Sequence, residues 1–250
     1  MKPKNKATRQ AAQTVTPPKP RYNRVDGLRG GAIALMFFYH FCFDLNYFHW
    51  MSVDFYHQPF WLNLRLLVVT LFLTLVGVSL VLANPLGVRW RAALPRLARL
   101  LGCAALVSVG SYAVFPESMI FFGVLHFIFI ASAIGLLLLR GYWLNLIVGS
   151  ALILIGATFQ HAVFNHPALQ WLGMMTYKPI TEDYVPLLPW MGVVMLGMFL
   201  ARHPVSEAWL KASWQVPDVL RGLTWAGRHS LLLYMLHQPI FFGVLWVISG

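Results

Sequence analysis

Residues 24–48 read RVDGLRGGAIALMFFYHFCFDLNYF, and the reading of this stretch decides the fold. From Leu28 to Phe48 it is nearly continuous in apolar and small residues, without the period-two alternation of a barrel strand. About 20 such residues suffice for a helix to cross a bilayer core. In and beside this block stand Asp26, Arg29, His40 and Asp44. At about 100° per residue, Arg29 and His40 are nearly eclipsed, and Asp26 and Asp44 both fall about 60° to one side of them. Ionisable groups are costly at membrane depth. The stripe is therefore predicted to face the bundle interior or a water-filled cavity, with His40 about 16 Å along the axis from Arg29.

Working outward, six further apolar blocks follow: Asn63–Ala83, Leu97–Phe115, Met119–Leu139, Tyr142–Gln160, Val185–Ala201 and His229–Ile248. The sixth of the seven is the weakest, being short and carrying Pro186 and Pro189 at its start. Only 11% of the chain is charged and 58% is hydrophobic, against roughly 25% charge in a soluble domain. The expected fold is all-α: a polytopic transmembrane helix bundle of about seven spans. The net charge of +11 does not argue for nucleic acid, because the basic residues lie between the apolar blocks, where they read as topology signals against lipid headgroups. Sixteen of the nineteen Lys and Arg fall on one side of a seven-span arrangement, which places that side and the N-terminus in the cytoplasm. Residues 1–24, with seven basic and no acidic residues, read as a disordered basic cytoplasmic tail, and residues 25–250 as the membrane domain. Cys42 and Cys103 make neither a disulfide framework nor a metal-ligand spacing, and no metal is expected. No internal repeat is seen that would support an inverted-repeat transporter.

The candidate chemistry lies in the spans. Asp26 and Arg29 suit either an interfacial anchor or a binding role. His40 and Asp44, four residues apart and deeper, suit catalysis. In the last span Ser230, Tyr234 and His237 share a face at spacings of four and three, within GRHSLLLYMLHQP. The alternative for that face is a packing seam of small and polar residues. Pro239 frees a backbone carbonyl and is a candidate kink near His237. His126, alone in its span, reads as a packed, hydrogen-bonded group unless it meets His40 and His237 in one cavity. His49 and His57 fall in the first outer loop. Residues 204–227, with three tryptophans, are a candidate surface helix. Histidine and aspartate on one helix also suit a proton-coupled small-solute transporter, the rival reading.

At this point the sequence resembles a known group. RVDGLRGGAIALMFFYH, FFGVLHFI, EDYVPLLPWMGVVMLGMFLA and GRHSLLLYMLHQPI, in that order, resemble the heparan-alpha-glucosaminide N-acetyltransferase-like membrane family in its short bacterial form. Arg29, ten residues and then His40 is similar to a motif of the wider membrane-bound acyltransferases. The resemblance implies transfer of an acetyl or other acyl group from cytoplasmic acyl-CoA, with acetyl-CoA as donor substrate, to a sugar hydroxyl or amine of a cell-envelope glycan or glycolipid. It also implies a bacterial inner membrane location and allows a homodimer. His40 then carries over as the motif histidine with Arg29 as its partner. The lysosomal member has asparagine at the position aligned with His40, and its proposed catalytic histidine falls nearest His49, so both are candidates. The mechanism expected on this basis has acyl-CoA phosphates near Arg29 and the Arg89–Arg99 cluster, and His40 as general base or acyl carrier. Asp44 orients that ring, and Tyr234, His237 or His126 donates to the thioester oxygen.

Overall fold

The computed structural model describes residues 21–249. The tail expected over residues 1–24 lies mostly outside them. Its last residues are helical, since α1 already begins at Asn23 and runs to Tyr47. Eight more helices follow: α2 (Pro59–Ala83), α3 (Trp90–Val114), α4 (Val124–Leu137), α5 (Tyr142–Thr158), α6 (Leu187–Leu200), α7 (Pro204–Lys211), α8 (Arg221–Arg228) and α9 (Ser230–Ser249). All regular structure among the described residues is helical, as expected where lipid cannot satisfy backbone groups. Four helices, α1, α2, α3 and α9, are long and apolar enough to cross a membrane. A fifth span results if α6 and α7, bent by 79° at a short break, are counted together.

Every one of the seven apolar blocks is largely helical, but not all to full length. The block expected over Met119–Leu139 becomes helix only at Val124. The residues before it are held in a turn against α3: Ser108 donates to the Ile120 carbonyl at 2.6 Å, and the Ile120 amide donates to the Ser111 hydroxyl at 2.9 Å. With 14 residues, α4 reaches about 21 Å, short of a hydrocarbon core of about 30 Å.

At the centre of the core, α6 lies backbone against backbone on two neighbours. A methyl group at Gly77 of α2 would overlap the Val194 carbonyl, and one at Gly197 the Thr74 carbonyl. On the other side Gly192 faces the Gly149 carbonyl of α5, and Gly156 meets Pro189. Small residues permit such approach, and dispersion between the backbones supplies the attraction in lipid, where no hydrophobic force operates. Leu73, Leu80, Val194, Met195 and Met198 fill the remaining space and are fully buried.

In the segment expected to carry one surface helix there are two short helices, and α8 is not a free surface element. Gly30 of α1 meets the Leu223 carbonyl and Gly227 meets the Asp26 carbonyl, so α8 lies directly on α1. From the other end of the bundle, the long connection between α5 and α6 folds back over the turn between α3 and α4. Glu182 N donates to Ser118 O at 3.1 Å, Thr181 donates to Met119 O at 2.8 Å, and Val185 N donates to Phe122 O at 3.3 Å. Lys178 lies over the Tyr56 ring at 5.5 Å and ties the same connection to the loop between α1 and α2.

Candidate functional site

The stripe on α1 faces inward, but it serves two different partners. Near the start of the helix, Arg29 donates to Asp26 at 3.1 Å, to the Gly227 carbonyl at 3.2 Å and to the Ser79 hydroxyl at 2.8 Å. Arg228 reaches Asp26 at 3.4 Å and Asn23 at 3.1 Å. The Asp26–Arg29 pair therefore clamps α1 to α2 and α8. The guanidinium is occupied by protein partners, whereas Arg91 and Arg99 of the expected Arg89–Arg99 cluster are exposed on α3.

About three turns further along, the stripe meets α9. The His40 ring stands edge-on to His237, with centroids 5.0 Å apart, and Phe37 stacks on the same imidazole at 5.6 Å. One turn on, Gln238 donates to Asp44 at 2.7 Å. Asp44 is 1% exposed and His237 6%. Asp44 is bonded to Gln238 and not to His40, so the expected orientation of the His40 ring by Asp44 has no hydrogen bond behind it in this structure. The phenylalanines Phe41, Phe241, Phe242 and Phe48 close the seam around this polar strip.

The orientation of His237 follows from its hydrogen bond. Its Nδ1 lies 2.6 Å from the Tyr234 carbonyl oxygen. A carbonyl can only accept, so the neutral ring carries its proton on Nδ1 and a lone pair on Nε2. That Nε2 is buried and has no partner among the described residues, and the same holds for the second oxygen of Asp44 and the carbonyl oxygen of Gln238. Buried polar atoms are ordinarily paired, and leaving one bare costs about 1–3 kcal/mol. Three of the five such side-chain atoms among the described residues, the others being Ser132 Oγ and Asn145 Oδ1, fall within two turns of this one helix interface, which makes it the candidate site. In its neutral form His237 is an acceptor at Nε2, whereas the sequence reading offered Tyr234, His237 or His126 as donor to a thioester oxygen.

The other candidates lie elsewhere. His126 is committed to the turn between α3 and α4: the Gly123 amide donates to its Nδ1 at 3.3 Å, and its Nε2 lies 3.1 Å from the Ser108 hydroxyl. Both ring nitrogens are used, and it does not share in the His40–His237 contact. Ser230 opens α9, about 10 Å along the helix from His237. The Tyr234 hydroxyl does not face the histidines. It points to Asp183, 3.4 Å away, whose same oxygen accepts the Val124 amide at 2.7 Å. His49 follows the end of α1 with a left-handed backbone, φ 63°, and is exposed on a concavity of about 700 Å³ lined also by Asn46, Ser52, Asp54 and Gln58. Pro239 lies within α9 without ending it. Among the described residues no cluster of three or more His, Cys, Asp or Glu is placed to hold a metal ion.

Two residues of this arrangement were missed in the sequence. Gln238 lies beside His237 in the HQP segment, but its partner is on another helix. Asp183 sits in a connection, and nothing local shows that its carboxylate meets α4 and α9. Burial pushes the Asp183 carboxyl above the ordinary range, offset in part by the Val124 amide, the Tyr234 hydroxyl and the charge of Lys178.

A protein-family model described as heparan-alpha-glucosaminide N-acetyltransferase, catalytic, matches residues 21–239. The match runs from the first turn of α1 through His237 and Gln238. No curated protein and no solved structure matches the chain.

Proposed function

The chain belongs to the heparan-alpha-glucosaminide N-acetyltransferase catalytic family, and from that premise we propose that it is a membrane acetyltransferase whose reacting groups meet between α1 and α9. The donor is acetyl-CoA or a related acyl-CoA, and the acceptor is a hydroxyl or amine of a cell-envelope sugar. The N-terminus lies in the cytoplasm of a bacterium, with the enzyme in its inner membrane. The observation that carries this reading is the buried Nε2 of His237, held as an acceptor by the Tyr234 carbonyl and facing no protein donor.

In the reaction, the acceptor O–H or N–H gives its proton to His237 Nε2 as its oxygen or nitrogen attacks the thioester carbon. The C–S bond then breaks, and the leaving coenzyme thiolate takes that proton back from Nε2. A single imidazole thus serves as base and then acid. His40, edge-on at 5.0 Å, is the second histidine of the pair. The donor's phosphates are held by Arg91 and Arg99 at the start of α3, on the same side as the α1–α8 clamp, and its thioester arm reaches inward between the helices.

The test uses the purified full chain in lipid nanodiscs with labelled acetyl-CoA and a set of amino sugars and envelope glycans. Label is expected in a sugar product, and acetyl-CoA at about 100 times its Kd is expected to stabilise the protein by about 2.7 kcal/mol. Absence of both would refute the assignment.

A further inference from the structure

The Asp183 carboxylate lies in a connection between helices, yet it touches two of them through one oxygen. That oxygen accepts the Val124 amide, the first of α4, at 2.7 Å, and lies 3.4 Å from the Tyr234 hydroxyl of α9. The approach needs Gly123, since a methyl group there would overlap the carboxylate itself. The carboxylate is also not free to swing. Its neighbours Thr181, Glu182 and Val185 are each hydrogen-bonded to the turn between α3 and α4. A hydrogen bond from a helix amide would by itself be an ordinary cap. The second contact is what a cap does not require.

Tyr234 has two polar ends, and both are engaged. Its hydroxyl points to Asp183, while its carbonyl oxygen holds His237 Nδ1 at 2.6 Å. Tyr234 and His237 are three apart on one helix face, so rotation or sliding of α9 moves both together. We propose that Asp183 is a positioning residue for His237: by anchoring Tyr234 to the fixed start of α4, it sets the rotation and depth of α9 and so the placement of the His237 ring beside His40. The inference rests on the acetyltransferase reading for its kinetic consequence, but the geometric claim can be checked without turnover.

The experiment compares Tyr234→Phe, Asp183→Asn, Asp183→Ala and the Tyr234→Phe/Asp183→Ala double variant in nanodiscs, each assayed in two ways. The first readout is the rate at which diethyl pyrocarbonate modifies His237, located by peptide mass spectrometry, with the exposed His57 of the loop after α1 as internal reference. The second is kcat and KM for acetyl transfer. Tyr234→Phe keeps both the amide–carboxylate bond to α4 and the Tyr234 carbonyl, so it removes the linkage alone. We expect it to raise the His237 modification rate and to lower kcat on the order of tenfold to a hundredfold, with KM little changed. Asp183→Asn retains an acceptor and should stay near the unmodified protein. Asp183→Ala should match Tyr234→Phe, and the double variant should add nothing further. If Tyr234→Phe leaves both His237 reactivity and kcat unchanged, or if Asp183→Ala lowers only the melting temperature, the positioning role is overturned. If no variant and no parent transfers acetyl while the reactivity pattern holds, the positioning stands and the enzymatic reading alone falls.

Discussion

Where α6 meets α2 and α5, glycines bring backbone against backbone and the space left over is filled by leucine, valine and methionine. Where α1 meets α9, two imidazoles, a carboxylate and an amide lie among phenylalanines, and three of their atoms have no partner. Both seams join apolar helices of one bundle. The first spends its sequence on close approach. The second retains buried polar groups whose bare atoms each cost about 1–3 kcal/mol. On the proposed reading stability rests on the first seam and chemistry on the second, and substitutions in each should then report different quantities.

The largest effect is expected at the second seam. His237→Ala should reduce acetyl transfer by about 10²–10⁴-fold, the usual worth of a positioned general base. Because the ring is buried and stacked on Phe37, the Ala variant also leaves a cavity. His237→Gln, which fills more of the space but lacks the imidazole base, is therefore assayed beside it. It should lose transfer as fully while melting closer to the unmodified protein. His40→Ala should lose less if His237 is the base, and more if the assignment is reversed. Steady-state kinetics on the pair decide between them.

Next in size is the first seam. Gly77→Val or Gly192→Val forces side chain into a carbonyl oxygen with no room to yield, and overpacking of this kind costs about 1–3 kcal/mol or more. Thermal unfolding should show the loss, and any protein that remains folded should keep its KM. A change in KM at constant stability would mean that the dry seam moves during turnover, and the contrast between the seams would fail.

The two seams also differ in how legible they were. The α1 stripe was readable because Arg29, His40 and Asp44 lie on one helix, and helical geometry places them on one face whatever surrounds them. The motif on α9 was readable for the same reason. What the stripe touches was not readable. That Arg29 would be consumed by Asp26, Ser79 and the Gly227 carbonyl depends on α8 lying on α1, which is set by Gly30 and Gly227, residues 197 positions apart. His126, alone in its span, reads as a packed, hydrogen-bonded group unless it meets His40 and His237, but the sequence does not name its partners. They are Gly123 and Ser108, on either side of a turn, which take both its nitrogens. The helical blocks were legible from hydropathy, whereas the shortening of α4 came from serine hydroxyls of α3, a tertiary effect with no local signal.

A smaller effect tests whether the polar groups at α9 are a stability cost. Asp44→Leu alone leaves the Gln238 amide buried and bare, and should destabilise by about 1–3 kcal/mol. Asp44→Leu together with Gln238→Leu removes the donor, the acceptor and both unpaired oxygens, and should be neutral or stabilising. Both variants should lose acetyl transfer. A double variant as unstable as the single one would show that the pair holds the helices together, making this seam structural like the other.

The smallest effect lies beyond both seams, in the loop after α1. Asp54 accepts the Tyr56 and His57 amides at 2.9 and 3.0 Å and faces the His57 ring at 2.8 Å. Those bonds, the Tyr56 amide first and the His57 ring next, hold its carboxyl below the ordinary value of 3.8. For a carboxyl lowered on folding, the stabilisation is present above 3.8 and is lost as pH falls through the lower folded value. Above that range the loop should therefore be insensitive to pH as far as Asp54 is concerned. Asp54→Ala at neutral pH should reproduce the acid state, lowering hydrogen-exchange protection of the Tyr56 and His57 amides while leaving the melting temperature in place. Acetyl transfer should also be unchanged, because α1 is fixed by α8 and α9 before the loop begins. If Asp54→Ala instead alters turnover, the loop carrying His49 belongs to the reacting site, and the seam between α1 and α9 is only its inner half.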